Sequence, residues 1–268
     1  MLRKLLKYEF QATGRIFLPL YGALFIIAIV QRVFLGLSLS GMSSSVAIDI
    51  LMSIVPMLFG ATIMGICVAA FIMMIQRFYK NLLGREGYLM FTLPVSVSKL
   101  IWSKLIVIAI WIILSVIAGI IAFFIVFLDT EALGYTFRQL IEGFRGLGPF
   151  SILIVDAIVF TLAALVGNIL SIYMSMAIGQ LSNKHKGLCS IGAYIGLSII
   201  INNIVMAIMF EVSNSSIGTA LYNAIFLNLN EIQAAHTLML FLILFMVVQA
   251  VIYFFVTRYI LSKRLNLE

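Results

Sequence analysis

The sequence predicts an all-α polytopic membrane protein with six transmembrane helices, an N-terminal amphipathic helix and short helices in its connections. Three observations carry this. The chain has 268 residues, of which 63% are hydrophobic and only 10% charged, whereas a soluble domain has about 45–50% apolar and about 25% charged residues. The apolar residues fall in long unbroken runs rather than in alternation, which points to helices and away from a barrel. The basic residues crowd into every second connection, as the positive-inside rule describes.

Residues 1–268 read as a single transmembrane domain. The opening segment, 1–15, places Leu2, Leu5, Leu6 and Glu9 at helical intervals among Arg3, Lys4, Lys7 and Arg15, the pattern of an amphipathic helix at a membrane surface. Basic residues also open a signal peptide, but no small-residue cleavage site follows the apolar region, so the segment is expected to be retained. The spans are expected at 16–36, 50–75, 105–128, 150–178, 188–210 and 237–260. The fourth run exceeds the ~20 residues a perpendicular helix needs, which implies tilt or extension beyond the bilayer. A charged connection at 129–149 precedes it. The segment 211–236 contains no Lys or Arg, and its apolar core, Ile217 to Leu229, is too short to span, so it reads as an outer re-entrant segment.

Six spans put both termini on one side of the membrane. Of 17 basic residues, Arg32, Arg138 and Arg145 fall on the other side, leaving 14 with the termini. Of the acids, only Glu9, Glu86 and Glu268 lie with the termini. The termini are therefore expected in the cytoplasm. The net charge of +7 is a signal of topology and of contact with anionic lipid, not a nucleic-acid patch.

No catalytic constellation is present. The chain has no G-x-x-x-x-G-K-[ST] phosphate loop and no H-E-x-x-H. His185 and His236 are expected on opposite faces of the membrane, and Cys67 and Cys189 on different helices, which argues against a metal site, a disulfide or a resident cofactor. Charged residues in spans invite a functional reading. Arg32 lies near the outer end of the first span, Asp49 opens the second, and Asp156 lies ~9 Å inside the outer start of the fourth at about 1.5 Å per residue. The fourth span also carries Thr161, Ala164, Asn168, Ser171, Ser175 and Gly179 on one face. Two readings fit this face. It is a packing surface with interhelical hydrogen bonds, or, with Asp156, Thr161, Asn168, Ser171 and Ser175, the lining of a pathway. Gly192 and Gly196 form a G-x-x-x-G that permits close helix approach.

The connection at 76–104 reads QRFYKNLLGREGYLMFTLPVSVSKLIWSK and carries Arg77, Lys80, Arg85, Lys99 and Lys104. Its middle interleaves charge with Tyr88, Leu89 and Phe91, as an amphipathic helix does when it lies on lipid or docks into a groove on a soluble partner. Gly84 and Gly87 permit sharp turns, Pro94 stops the helix, and Ser96 or Ser98 can cap the run that follows.

At these residues the chain resembles a known family. Arg77-Phe78-Tyr79-Lys80-Asn81-Leu82-Leu83-Gly84, then Glu86-Gly87-Tyr88-Leu89 and Thr92-Leu93-Pro94-Val95-Ser96, followed by Lys104, resembles bacterial permease subunits of the type-two ABC exporter family. The order of segments resembles that family along the whole chain. The resemblance implies a connecting helix at 1–15, short re-entrant outer helices at 211–236, and a coupling helix within 76–104. It implies that Leu82, Gly84, Arg85, Glu86, Gly87, Tyr88, Leu89, Phe91 and Pro94 contact a separate ABC ATPase, with Tyr88, Leu89 and Phe91 as apolar anchors. ATP and Mg would be bound by that partner, and a second permease chain, identical or related, would complete the pathway. The setting would be the bacterial cytoplasmic membrane. Two other classes fit the spans: a secondary transporter, and a non-transporting sensor or assembly protein.

Overall fold

The computed structural model describes residues 2–39, 46–84, 87, 90, 92, 95–127, 133–146, 148–182, 185–226 and 229–264. Among these the secondary structure is helical, without a strand. Among the described residues these α-helices follow one another: α1 Leu2–Leu39, α2 Val46–Phe78, α3 Val97–Phe127, α4 Leu133–Gly146, α5 Ser151–Gly179, α6 Lys186–Asn214, α7 Ser216–Phe226 and α8 Glu231–Lys263. A π-helical turn, Tyr79–Leu83, continues α2, and a 3-10 turn, Gly148–Phe150, leads into α5.

Among the described residues six helical stretches are long and apolar enough to cross a membrane: Arg3–Gly36, Ile50–Leu83, Val97–Phe127, Ser151–Gly179, Lys186–Val212 and Glu231–Lys263. Their number and order are those expected. Helices are the solution such runs must adopt, because a backbone in hydrocarbon has to satisfy every N–H and C=O within its own segment. A stretch of 34 residues such as Arg3–Gly36 is ~50 Å long at about 1.5 Å per residue, well beyond the ~30 Å of hydrocarbon. A helix of that length tilts in the apolar layer or extends past it.

Several boundaries differ from those read in the sequence. The segment 1–15 and the first span form one unbroken helix, α1, with Pro19 inside it. The basic connection at 76–104 is shorter than expected, because α2 runs to Phe78 and α3 already begins at Val97. Lys104 consequently lies within α3 and is buried, at 2% exposure. The connection at 129–149 contains α4, a 14-residue amphipathic helix. The segment 211–236 resolves into the end of α6, the separate helix α7 and the start of α8.

The chain forms two compact units. One comprises Met1–Arg77 and Ser98–Ile141, the other Phe78–Val97 and Glu142–Glu268. In the first, Trp111 of α3 is 2% exposed and organises the packing against α1. Its ring stacks on Phe10 and Phe17, with centroids 4.7 and 4.8 Å apart. Its indole N–H donates to Thr13 Oγ1 at 2.7 Å, so its polar edge is satisfied inside an apolar stack. Tyr21 closes the cluster through a 2.7 Å hydrogen bond with Ser115.

In the second unit α5 packs against both α6 and α8, and α6 against α7. Two glycines fix close approaches. A methyl group at Gly179 would meet the start of α6, 2.7 Å from the Lys186 carbonyl oxygen and 2.6 Å from the Ser190 nitrogen. One at Gly218 would lie 2.6 Å from Val212 Cα, so α7 can fold back on α6 only without a side chain there. The start of α8 is capped as Asn230 N–H donates to Gln233 Oε1 at 3.1 Å.

Candidate functional site

Three groups of polar and aromatic residues stand out against the apolar helices, the first two in the second unit and the third in the first. The first is the entry to the basic connection. Phe78, at the end of α2, is fully buried and stacks on Tyr173 of α5, with centroids 4.0 Å apart and rings 14° from parallel. The π-helical turn then buries Leu82 and Leu83. Gly84 follows with an extended backbone, where a Cβ would lie 2.9 Å from the Lys80 carbonyl oxygen. Gly87 is buried, and its N–H donates to the Gly84 carbonyl at 2.9 Å, closing a tight turn.

Of the expected partner-binding residues, Leu82, Gly84 and Gly87 are thus part of a packed, sharply turned segment. Arg85, Glu86, Tyr88, Leu89, Phe91 and Pro94 lie outside the described residues. The backbone at Gly87, Met90 and Thr92 is helical.

The second group is the polar face of α5, which the structure divides. Asp156 is buried at 5% exposure, and its Oδ2 lies 2.5 Å from His236 Nδ1 on α8. Thr161 borders a separate apolar depression with Phe150 and Leu153, and its hydroxyl donates to the Ala157 carbonyl at 2.8 Å. Ser175 is buried and donates to Ile172 O at 2.9 Å.

Asn168 and Ser171 are brought together on a cavity of about 310 Å³ between α5, α6 and α8. Their donors also turn back onto their own helix: Asn168 Nδ2 bonds Ala164 O at 2.9 Å and Ser171 Oγ bonds Asn168 O at 2.8 Å. Such i−3 and i−4 bonds satisfy a hydroxyl or amide inside an apolar span. Among the described residues neither side-chain oxygen accepts a hydrogen bond.

The third group lies in the first unit. Glu9 of α1, 8% exposed, accepts a 2.6 Å hydrogen bond from Lys104 Nζ of α3. Arg77 of α2 approaches the other carboxylate oxygen to 3.9 Å. Lys104 and Glu9 are thereby a buried ion pair, the arrangement in which neither charge can lose its partner cheaply.

Sequence reasoning had not singled out His236 as the partner of Asp156, nor Glu9 as the partner of Lys104. In each case the residue type was visible, and the pairing across 80 or 95 positions was not. Among the described residues no group of three His, Cys, Asp or Glu gathers as a metal site, and Cys67 and Cys189 are both free thiols.

Six long apolar helices with lipid-compatible exposed faces, such as Ile195, Ile199 and Met206 on α6, define a multi-pass helical membrane protein. No protein-family model, curated protein or solved structure matches the chain.

Proposed function

We propose that the chain is the membrane-spanning permease subunit of an ATP-driven exporter in the bacterial cytoplasmic membrane. It would have both termini in the cytoplasm and work with a separate ABC ATPase and a second permease chain. The observation that carries this reading is the construction of the basic connection. A plain linker between two spans is solvated and variable in shape. This one is anchored by the Phe78–Tyr173 stack, buries Leu82 and Leu83, and turns sharply at Gly84 and Gly87. A chain without a phosphate loop must draw ATP-derived work from another subunit, and such a connection gives that subunit a firm element to push. The resemblance of 77–104 to exporter permeases points the same way. Glu211–His236 would face outward, with α7 as a short outer helix.

In this reading Tyr88, Leu89 and Phe91 insert into a cleft on the ATPase, and Arg85 and Glu86 meet charges at its rim. Truncating a buried aromatic anchor commonly costs about 2 kcal/mol or more, roughly thirtyfold in affinity, whereas a rim charge matters less and depends on salt. The test is co-purification of the full chain with its ATPase. Tyr88→Ala/Leu89→Ala is expected to release the ATPase while membrane insertion persists, and Lys99→Ala to retain it. Wild-type affinity in the double variant would transfer this segment to the lipid surface instead.

One observation favours a second reading. The part-buried Asp156–His236 pair is the type of intramembrane ionisable group that secondary transporters use. Transport that continues without ATP and depends on a proton gradient would select that alternative.

A further inference from the structure

We infer that the cavity between α5, α6 and α8 is a binding site for an uncharged hydrogen-bonding group, hydroxyl or carboxamide, carried on an apolar molecule that enters from the lipid. As a statement of substrate class this rests on the exporter reading; as a binding site it stands without it.

The argument starts from position. Asn168 and Ser171 on α5, Asn202 on α6, and Gln249 and Tyr253 on α8 all line the cavity. They come from the middle portions of helices bounded by Ser151–Gly179, Lys186–Asn214 and Glu231–Lys263. Polar groups at that depth in an apolar layer are costly unless they find partners. Back-bonding accounts for only part of what these residues offer. Tyr253 is 96% buried, being 4% exposed, and its hydroxyl accepts from Gln249 Nε2 at 2.6 Å. The proton of that hydroxyl has no acceptor among the described residues. Asn202 makes no side-chain hydrogen bond among them either. The lining therefore offers donors on Tyr253 and Asn202 and acceptors on Asn168 and Ser171.

Charge decides the ligand class. Among the described residues no Asp, Glu, Lys, Arg or His lines the cavity. A phosphate, carboxylate or ammonium moved there would be desolvated without a counter-charge, a far larger penalty than a neutral group incurs. A hydroxyl or carboxamide both donates and accepts, and matches the mixed lining. Size is compatible: about 310 Å³ is roughly ten times the ~30 Å³ share of one liquid water, room for a head group of sugar or amide dimensions. Phe245 and Met246 complete the wall and give an attached apolar chain a surface to follow.

The experiment uses the purified full-length chain in nanodiscs of phosphatidylethanolamine and phosphatidylglycerol. Four photoreactive probes share one alkyl chain and differ in head group: glucoside, primary carboxamide, phosphate and trimethylammonium. Saturable labelling of peptides from α5, α6 and α8 by the glucoside, the carboxamide or both is expected, and which of the two labels identifies the source of the hydrogen-bonding group. Asn202→Leu and Gln249→Leu should each weaken that labelling roughly two- to tenfold, the worth of one neutral hydrogen bond. Asn202 is exposed and unbonded among the described residues, so its replacement tests the site without threatening the fold. Equal labelling by the charged probes overturns the assignment, as does unchanged labelling in both variants. Absent labelling together with disulfide cross-linking of two copies through Asn202→Cys also overturns it, and gives the cavity to a second copy of the chain. ATPase co-purification from the same membranes is read separately. Its loss with neutral labelling intact removes the exporter reading and leaves the site.

Discussion

At the scale of single residues, the membrane makes pairing decisive. Glu9 and Lys104 are each acceptable alone at a membrane surface, yet Lys104 is 1% exposed in its side chain and sits 2.6 Å from the carboxylate. Replacing Glu9 by Gln leaves a buried ammonium, with Arg77 nearby, facing a neutral amide. The expected cost is about 3 kcal/mol, at the lower end of the range for breaking a buried pair. Replacing both partners with apolar residues of similar volume removes the desolvation penalty as well. Glu9→Leu/Lys104→Met should therefore be more stable to thermal unfolding than Glu9→Gln. If the double variant loses as much as the sum of the single variants, the two side chains are not energetically coupled.

The sequence disclosed half of this relationship. Asp156 was legible as an acid inside a span, because an ionisable residue in an apolar run is conspicuous. His236 was not legible as its partner, because nothing local fixes which faces of α5 and α8 meet. The polar face of α5 was legible from its 100° spacing. Its division was not: Asn168 and Ser171 reach the cavity while Ser175 is buried and Thr161 borders another depression. That division depends on where the neighbouring helices cross, which periodicity does not encode.

At the scale of elements, the six spans were readable because composition alone forces them, whereas their ends were not. Nothing between residues 15 and 16 breaks a helix, so surface helix and span merge into α1. Helix α4 went unread because charged and apolar residues mix in it as they do in a loop, and its identity as a helix rests on the apolar face. Close contacts between elements are equally hidden in a sequence, since a glycine in a span has many reasons to be there. Gly179 has a specific one: its Cα faces the backbone of α6 at Lys186 and Ser190. Gly179→Ala should force the helices apart at a cost of about 1–3 kcal/mol, the usual range for overpacking. Gly167→Ala on the same helix, where a methyl group meets nothing within 4 Å, should be neutral or slightly stabilising. Melting temperatures of the two variants in one detergent decide the matter, and equal values would remove the steric role of Gly179.

At the scale of the whole molecule, the exporter proposal poses the question of how work delivered to the basic connection would reach the polar face of α5. Phe78 and Tyr173 supply a physical link, because their stack joins the start of that connection to the helix that carries Asn168 and Ser171. Both rings are fully buried, so in the proposed exporter the contact would transmit displacement as packed groups do, with little slack. Docking and transmission can then be separated by mutation. Phe78→Leu keeps an apolar side chain of comparable bulk and forfeits the stack, worth about 0.5–1.5 kcal/mol beyond area burial. If the exporter proposal holds, the variant should insert, fold and retain the proposed ATPase partner as the wild type would, since the proposed contacts lie further along the connection. Hydrolysis should continue while substrate movement per ATP falls severalfold, and Tyr173→Leu should show the same defect. The two changes together should add little, because each breaks the same contact. Reconstituted proteoliposomes that report hydrolysis and transport side by side provide the measurement. If transport and hydrolysis fall in parallel, the stack only stabilises the fold, and the displacement travels by another route.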